Sequence, residues 1–415
     1  MGSCLDGPMS PFEIRATLPN GKGRAGVITT PHGDIHTPAF IPVGTKATVK
    51  AVLPEAMAEL GAQALLANAY HLYLQPGSEV VADAGGLARF MNWHGPTFTD
   101  SGGFQVLSLG VGFKKVLSMQ SQVDAVDDVI APGKERLAHV DDDGVTFKSH
   151  LDGSLHRFTP EVSMRVQFDI GADIVFAFDE LTTLMHSRPY QARSLARTYA
   201  WAQRCVAEHQ RLQARFPEKP KQLLFGVIQG AQHQDLRRRA AQEIAGLPVD
   251  GFGIGGAIEK HDLGAIVGWV TDELPDGKPR HLLGIGEPDD LFTAVAEGVD
   301  TFDCVSPTRI ARNSAVMTAD GRFNCSTSEH RRSFIPIDAE CTCYTCRNYT
   351  RAYLHHAFKA KEMIASTLAS IHNEAFIVGL VDRIRMSIVD GTFAEFRAEF
   401  LGRYYRAKGQ VSATR

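Results

Sequence analysis

Two aspartates stand at the ends of short apolar runs, Asp100 in Phe98-Thr99-Asp100-Ser101-Gly102-Gly103 and Asp303 in Thr301-Phe302-Asp303-Cys304-Val305. A carboxylate placed where a buried strand emerges beside glycines faces a ligand in a poorly solvated pocket, where its charge or basicity has large effects. Two of them suggest paired acid–base and nucleophilic work. A second group, Cys341, Cys343 and Cys346, puts three thiols within six positions. Seven cysteines in a chain of this length do not make a disulfide scaffold, and the crowding of three points to a metal. His372 is the best-placed fourth ligand for a closed tetrahedral site, which would be structural; His355 and His356, on an expected helix, are the alternatives.

Positioning these residues takes a repeating scaffold. Short apolar runs recur at 39–43, 64–66, 97–99, 174–178, 223–228, 251–254, 281–285 and 301–305. Each is followed by glycine or a polar residue, and helical patterns such as 189–215 and 234–245 lie between them. Eight such runs are what a (β/α)8 TIM barrel, an α/β fold, requires; an open doubly wound sheet is the alternative. Ligands of a barrel lie at the strand C-termini. Here those ends carry Asn68, Asp100, Asp179, Gln229, Gly255-Gly256, Gly284 and Asp303 in turn. A ring of polar ends is a site. Individual members also have plainer readings, because Asp100 could cap a helix and Asp179-Glu180 could form a structural ion pair. Gly251-x-Gly253-x-x-Gly256 matches a dinucleotide fingerprint, but it comes sixth of eight runs instead of opening the fold. Close backbone approach to a flat ligand is the better reading of those glycines.

The chain has 415 residues and a formal net charge of -4. The length fits one barrel-sized domain with an appendage, and the charge offers no long-range attraction to nucleic acid. Any nucleic-acid partner must be met by a local basic patch, for which Arg309, Arg312, Arg322, Arg331 and Arg332, between Asp303 and the cysteines, are the candidates. No signal-peptide pattern opens the chain and no apolar stretch approaches membrane length, so a soluble intracellular protein is expected. Residues 145–158 alternate around Asp152-Gly153, a type I′ hairpin signal, and follow a charged stretch over about 110–144.

Taken together, TDSGGFQVLSLG, FDE, GVIQG, GFGIGGA, HLLGIGEPDD, TFDCVSPTR and CTCYTC with IHN resemble the queuine tRNA-ribosyltransferases, the tRNA-guanine transglycosylases of the bacterial type, over about residues 12–405. The resemblance implies a (β/α)8 TIM barrel with a zinc-binding subdomain inserted near its C-terminus. The expected division is a catalytic barrel over 12–305 with an extended insertion at about 110–158, a tRNA-contacting and zinc-binding subdomain over 306–375, closing helices over 376–405 and a disordered tail over 406–415. It implies exchange of the wobble guanine of GUN-anticodon tRNAs for 7-aminomethyl-7-deazaguanine (preQ1), with preformed queuine as the near alternative. A non-catalytic tRNA-binding subunit of a transglycosylase complex is a more distant one.

By the same resemblance Asp303 is the nucleophile on the ribose C1′ and Asp100 the proton acceptor. Asn68, Asp100, Ser101, Gly102, Gly103, Phe104, Asp179, Gln229, Gly256 and Ala257 match base-binding positions, Phe104 as the stacking aromatic. Gly284, Ile285, Gly286, Glu287, Pro288, Asp289 and Asp290, with Thr308, Arg309, Ile310, Ala311 and Arg312, match tRNA-contacting segments. Cys341, Cys343, Cys346 and His372 match the ligands of one structural Zn2+ per subunit. A cytoplasmic homodimer with no membrane association is implied. The chain departs from the pattern at Leu181, where relatives usually carry cysteine, at Ala257, where they usually carry leucine, and at Ser306.

Overall fold

The structure, a computed structural model, describes residues 10–19, 21–103 and 138–406. Eight strands form one parallel sheet: β1 (Ala39–Pro42), β2 (Leu65–Asn68), β3 (Thr97–Asp100), β4 (Ile174–Phe176), β5 (Leu223–Ile228), β6 (Gly251–Ile254), β7 (Arg280–Leu282) and β8 (Thr301–Cys304). Neighbours in sequence are neighbours in the sheet, and β8 pairs back onto β1, Thr301 opposite Ala39 and Asp303 opposite Ile41. The ring closes just past β1 through a Val43–Leu66 bridge and a Gly44 N–H to Leu66 O hydrogen bond of 2.7 Å. The strands read as unbroken apolar runs because parallel strands covered by helices are buried on both faces. All six residues of β5 are buried.

Inside the ring Ile41, Leu66, Phe98, Ile174, Phe176, Phe225 and Val227 form one apolar cluster, and Phe12, Ile28 and Ile35 join it from the N-terminal antiparallel sheet. That sheet (Phe12–Thr17, Arg24–Thr30, Gly33–Thr37) thus plugs the end of the barrel away from the strand C-termini. Arg24 and Asp300, 2% and 0% exposed, pair at 2.6 Å beneath β8 and fix this floor. Desolvation offsets most of the attraction in such a buried pair, so it adds little net stability, while removal of either partner would leave an uncompensated buried charge.

The helices at Arg188–Arg215 and Gln234–Ala245 fall where the three- and four-residue apolar spacing places them. The hairpin is present but differs in its turn: Gly144–Lys148 and Leu155–Phe158 are joined by a loop over 149–154 in place of a two-residue turn. Within that loop Asp152 accepts from both the backbone N–H and the hydroxyl of Ser154, while Gly153, at φ +77°, donates to Ser149 O. Most of the charged stretch before it, and Phe104, lie outside the described residues, as do residues 407–415.

After β8 the chain makes a short helix, Ser306–Ala311, then a hairpin (Ala315–Thr318 with Gly321–Asn324) and the cysteine-bearing segment. Val316, Cys325, Ile337, Leu354 and Leu368 form its own small core. The helix Met363–Val389 then leads back to the barrel and runs unbroken across residue 375. Contrary to the sequence expectation, this helix is long and apolar enough to cross a membrane by length and composition. It is instead a core helix, 67% of its most apolar window being buried in the fold.

Candidate active site

The strand C-termini bring the expected polar residues to one rim. Asn68, the last residue of β2, caps the helix Ala69–Leu74 with its Oδ1, which accepts the His71 N–H at 3.0 Å. Its Nδ2 donates to Asp100 Oδ2, and the Ala69 N–H donates to Asp100 Oδ1 at 3.0 Å. Asp100 is therefore held as an oriented carboxylate by the loop of the neighbouring strand.

Asp179 follows β4 and is buried among polar partners. Its Oδ1 accepts from Ser101 Oγ at 3.1 Å and its Oδ2 from Gln229 Nε2 at 2.7 Å. Burial pushes its carboxyl up to about 6, only partly opposed by these two hydrogen bonds. The adjacent Glu180 has a different fate: Arg197 Nη1 and Tyr190 OH reach its two oxygens at 2.6 Å each. The structural ion pair suggested for this dipeptide thus belongs to Glu180, and Asp179 is left facing Ser101 and Gln229 at the barrel rim.

The glycines make room. A Cβ on Gly103 would meet Asp179 O at 2.7 Å, and one on Gly256, at φ +100°, would meet Gln229 Oε1 at 2.7 Å and Arg237 Nη2 at 3.0 Å. Gly256 and Ala257 follow β6 as a half-buried loop. Arg237 was not foreseen. Its guanidinium is fully buried and reaches three carbonyls, Ala231 O at 2.8 Å, Ile228 O at 3.2 Å and Gly255 O at 2.7 Å, so it ties the loops after β5 and β6 together. Burial alone lowers it to about 9.

On the opposite part of the rim Asp303 Oδ1 accepts the Gly284 N–H at 3.0 Å and faces His281 Nε2 at 3.1 Å. His281 was not singled out in the sequence either. Of the expected tRNA-contacting residues, Arg309 and Arg312 are exposed on or just after the helix that follows Asp303, whereas Thr308 and Ala311 are buried. Among the acidic ones, Glu287 pairs with Arg322 at 3.0 Å and Asp289 with Lys260 at 2.8 Å; Asp290 is buried. Arg331 and Arg332 are exposed on the subdomain.

The cysteine cluster converges with one histidine. His372 Nδ1 lies 3.6, 3.7 and 3.3 Å from the Sγ atoms of Cys341, Cys343 and Cys346. A tetrahedral zinc with bonds of about 2.1 Å to nitrogen and 2.3 Å to sulfur needs N···S edges of about 3.6 Å. The donor set therefore fits such an ion. His372 Nε2 sits 2.6 Å from Met317 O, the carbonyl partner that fixes the metal-binding tautomer. His355 is committed elsewhere, its Nδ1 3.1 Å from Cys325 O.

A family model described as queuine tRNA-ribosyltransferase matches residues 20–406. The chain belongs to the queuine tRNA-ribosyltransferase family. A relative of that name from Roseiflexus sp. (strain RS-1) is 46% identical over 401 residues, covering 94% of this chain and 99% of the relative. Another, from Moorella thermoacetica (strain ATCC 39073 / JCM 9320), is 45% identical over 93% of this chain and 95% of its own length. The name given to these queuine tRNA-ribosyltransferases is that of a pentosyltransferase, an enzyme class whose chemistry at an anomeric carbon suits oriented carboxylates at a barrel rim.

Proposed function

We propose that this protein exchanges the wobble guanine of GUN-anticodon tRNAs for 7-aminomethyl-7-deazaguanine through a covalent ribosyl-aspartate. The observation that carries this reading is the division of labour among carboxylates on one rim: Asp303 at the end of β8, Asp100 at the end of β3 and Asp179 beyond β4. In the first displacement an Asp303 oxygen bonds to C1′ of the ribose, and the C1′–N9 bond breaks with its electron pair leaving on guanine, which takes up a proton from solvent water. In the second, Asp100 accepts the proton from the incoming base, whose freed nitrogen attacks C1′. The C1′–O bond breaks and its electrons return to Asp303. Two inversions retain the anomeric configuration.

In this reading Asp179 and Gln229 hydrogen-bond the edge of the base over the Gly256 backbone, and exposed Arg309 and Arg312 take phosphates. The metal is a structural Zn2+ held by Cys341, Cys343, Cys346 and His372. It supplies rigidity to the subdomain and no step of the reaction. The active molecule is a cytoplasmic homodimer; exposed Phe334, Ile335 and Met363 on the subdomain side supply apolar surface that a second copy would cover. Radiolabelled guanine is expected to enter a GUN-anticodon tRNA and to be displaced by the 7-aminomethyl base. If queuine competes better than that base in the same assay, the choice of base is reversed while the reaction stands.

Asp179 sets a pH limit. Its folded value of about 6 lies above the usual carboxylate value of 3.8, so the neutral acid is the form the fold favours. That contribution to stability is complete below about pH 4 and is lost as pH rises through about 6. Asp179→Asn is accordingly expected to stabilise the protein at neutral pH, by roughly 2–3 kcal/mol. Donors on the base edge need the ionised form, so the KM for free guanine is expected to rise as pH falls below about 6, up to tenfold per unit. Flat KM values between pH 5 and 7 would refute the role of Asp179.

A further inference from the structure

We propose that His281 is a positioning residue that selects Oδ2 of Asp303 as the reacting oxygen, an inference that rests on Asp303 being the nucleophile. His281 lies in β7 and is fully buried. Its register partner on β8 is Thr301. Side chains alternate along a strand, so Thr301 and Asp303 present themselves on the same inner face. The imidazole spans these two rungs, with Nδ1 2.9 Å from Thr301 Oγ1 and Nε2 3.1 Å from Asp303 Oδ1.

An ionised carboxylate only accepts, so Nε2 carries the proton and donates it to Oδ1; in the neutral ring the Thr301 hydroxyl then donates to Nδ1. The ring is held in place by Phe98 and Phe176, with centroids 5.7 and 5.2 Å away. The Gly284 N–H donates to the same oxygen at 3.0 Å. Oδ1 therefore takes two donors, while Oδ2 has no hydrogen-bond partner among the described residues.

This asymmetry assigns the atoms in both displacements. In the first, the lone pair of the undonated Oδ2 forms the bond to C1′ as the C1′–N9 bond breaks onto guanine. Oδ1 becomes the ester carbonyl oxygen and keeps both donors. In the second, the C1′–Oδ2 bond breaks and its electron pair returns to the carboxylate. The charge that reappears is shared with Oδ1, where His281 and the Gly284 N–H are already aimed. Donors in place before charge develops need no reorganisation during the step, and a charge-assisted bond is roughly twice as strong as a neutral one. His281 thereby acts on departure from the ribosyl ester at least as much as on attack, and its effect belongs in kcat.

His281→Phe keeps a ring in the apolar slot and removes the donor. It is expected to lower kcat for labelled-guanine exchange on the order of 10²-fold with the KM for tRNA changed by no more than about threefold. His281→Gln, whose amide can donate toward Oδ1, is expected to recover about tenfold of that loss. A wild-type kcat in the Phe variant, or equal losses in Phe and Gln variants that melt like wild type, overturns the proposal. Should the Phe variant not fold, Thr301→Val decides, because it frees Nδ1 without removing the ring: reduced kcat at unchanged tRNA KM is the expected result, and wild-type kcat the overturning one. Exchange by Asp303→Asn would instead remove the nucleophile assignment beneath it, so the two failures are distinguishable.

Discussion

Asp303→Asn is expected to eliminate guanine exchange, lowering kcat by at least about 10⁴-fold, the range seen when a covalent nucleophile is removed from a preorganised site. The substitution is nearly isosteric, and its Oδ1 can still accept from His281 and the Gly284 N–H. The fold and tRNA affinity should therefore persist, which separates lost chemistry from lost structure. On a denaturing gel, wild type with a 7-deazaguanine analogue should show a protein–tRNA band that the variant lacks. A variant that retained exchange, or still formed the band, would end the double-displacement reading.

Loss of the proposed structural zinc is expected to have the next largest effect. Structural zinc sites contribute an apparent binding free energy of roughly 10–16 kcal/mol, which is folding free energy for the segment that carries them. The small core of Val316, Cys325, Ile337, Leu354 and Leu368 is too slight to hold residues 315–359 without it. Cys346→Ser should reduce metal content from one zinc per chain to near zero by elemental analysis and expose the subdomain to proteolysis. The KM for tRNA should rise well before base binding is affected. Asn373, next to His372, accepts from the Met317 N–H at 3.0 Å and donates to Pro307 O at 3.1 Å, so disorder would spread to the helix bearing Arg309. A variant lacking metal with wild-type tRNA affinity would contradict this.

Much of the scaffold was legible because a parallel barrel strand is buried on both faces and ends abruptly. The eight apolar runs and their polar terminal residues give both the repeat and the rim. His281 and Arg237 escaped for physical reasons. A histidine among apolar residues reads as an ordinary core side chain, and its meaning arises only when the β7–β8 register sets it against Thr301 and Asp303. Arg237 sits in the run Arg237-Arg238-Arg239, which looks like a solvated helix face. A signal was present, since Arg237 stands three and four residues before Ala240 and Ala241, on the stripe that the helix buries. The turn after Lys148 differs from a tight hairpin because Lys148 pairs with Leu155, so Asp152-Gly153 falls inside a longer loop instead of joining the strands directly. The cysteine spacing, by contrast, left three histidines open, and convergence in space on His372 could not be read from local sequence.

The neighbouring carboxylates Asp179 and Glu180 point to opposite sides of the chain, one toward the pocket with Ser101 and Gln229, the other toward Arg197 and Tyr190. This makes the segment intolerant of insertions and deletions. Gain or loss of a single residue between Phe178 and Leu181 would turn the anchoring acid into the pocket and the pocket acid against the helix. Length variation among functional relatives should therefore fall elsewhere, in the stretch before the 138–158 sheet or after Ala257, and leave this dipeptide spacing untouched.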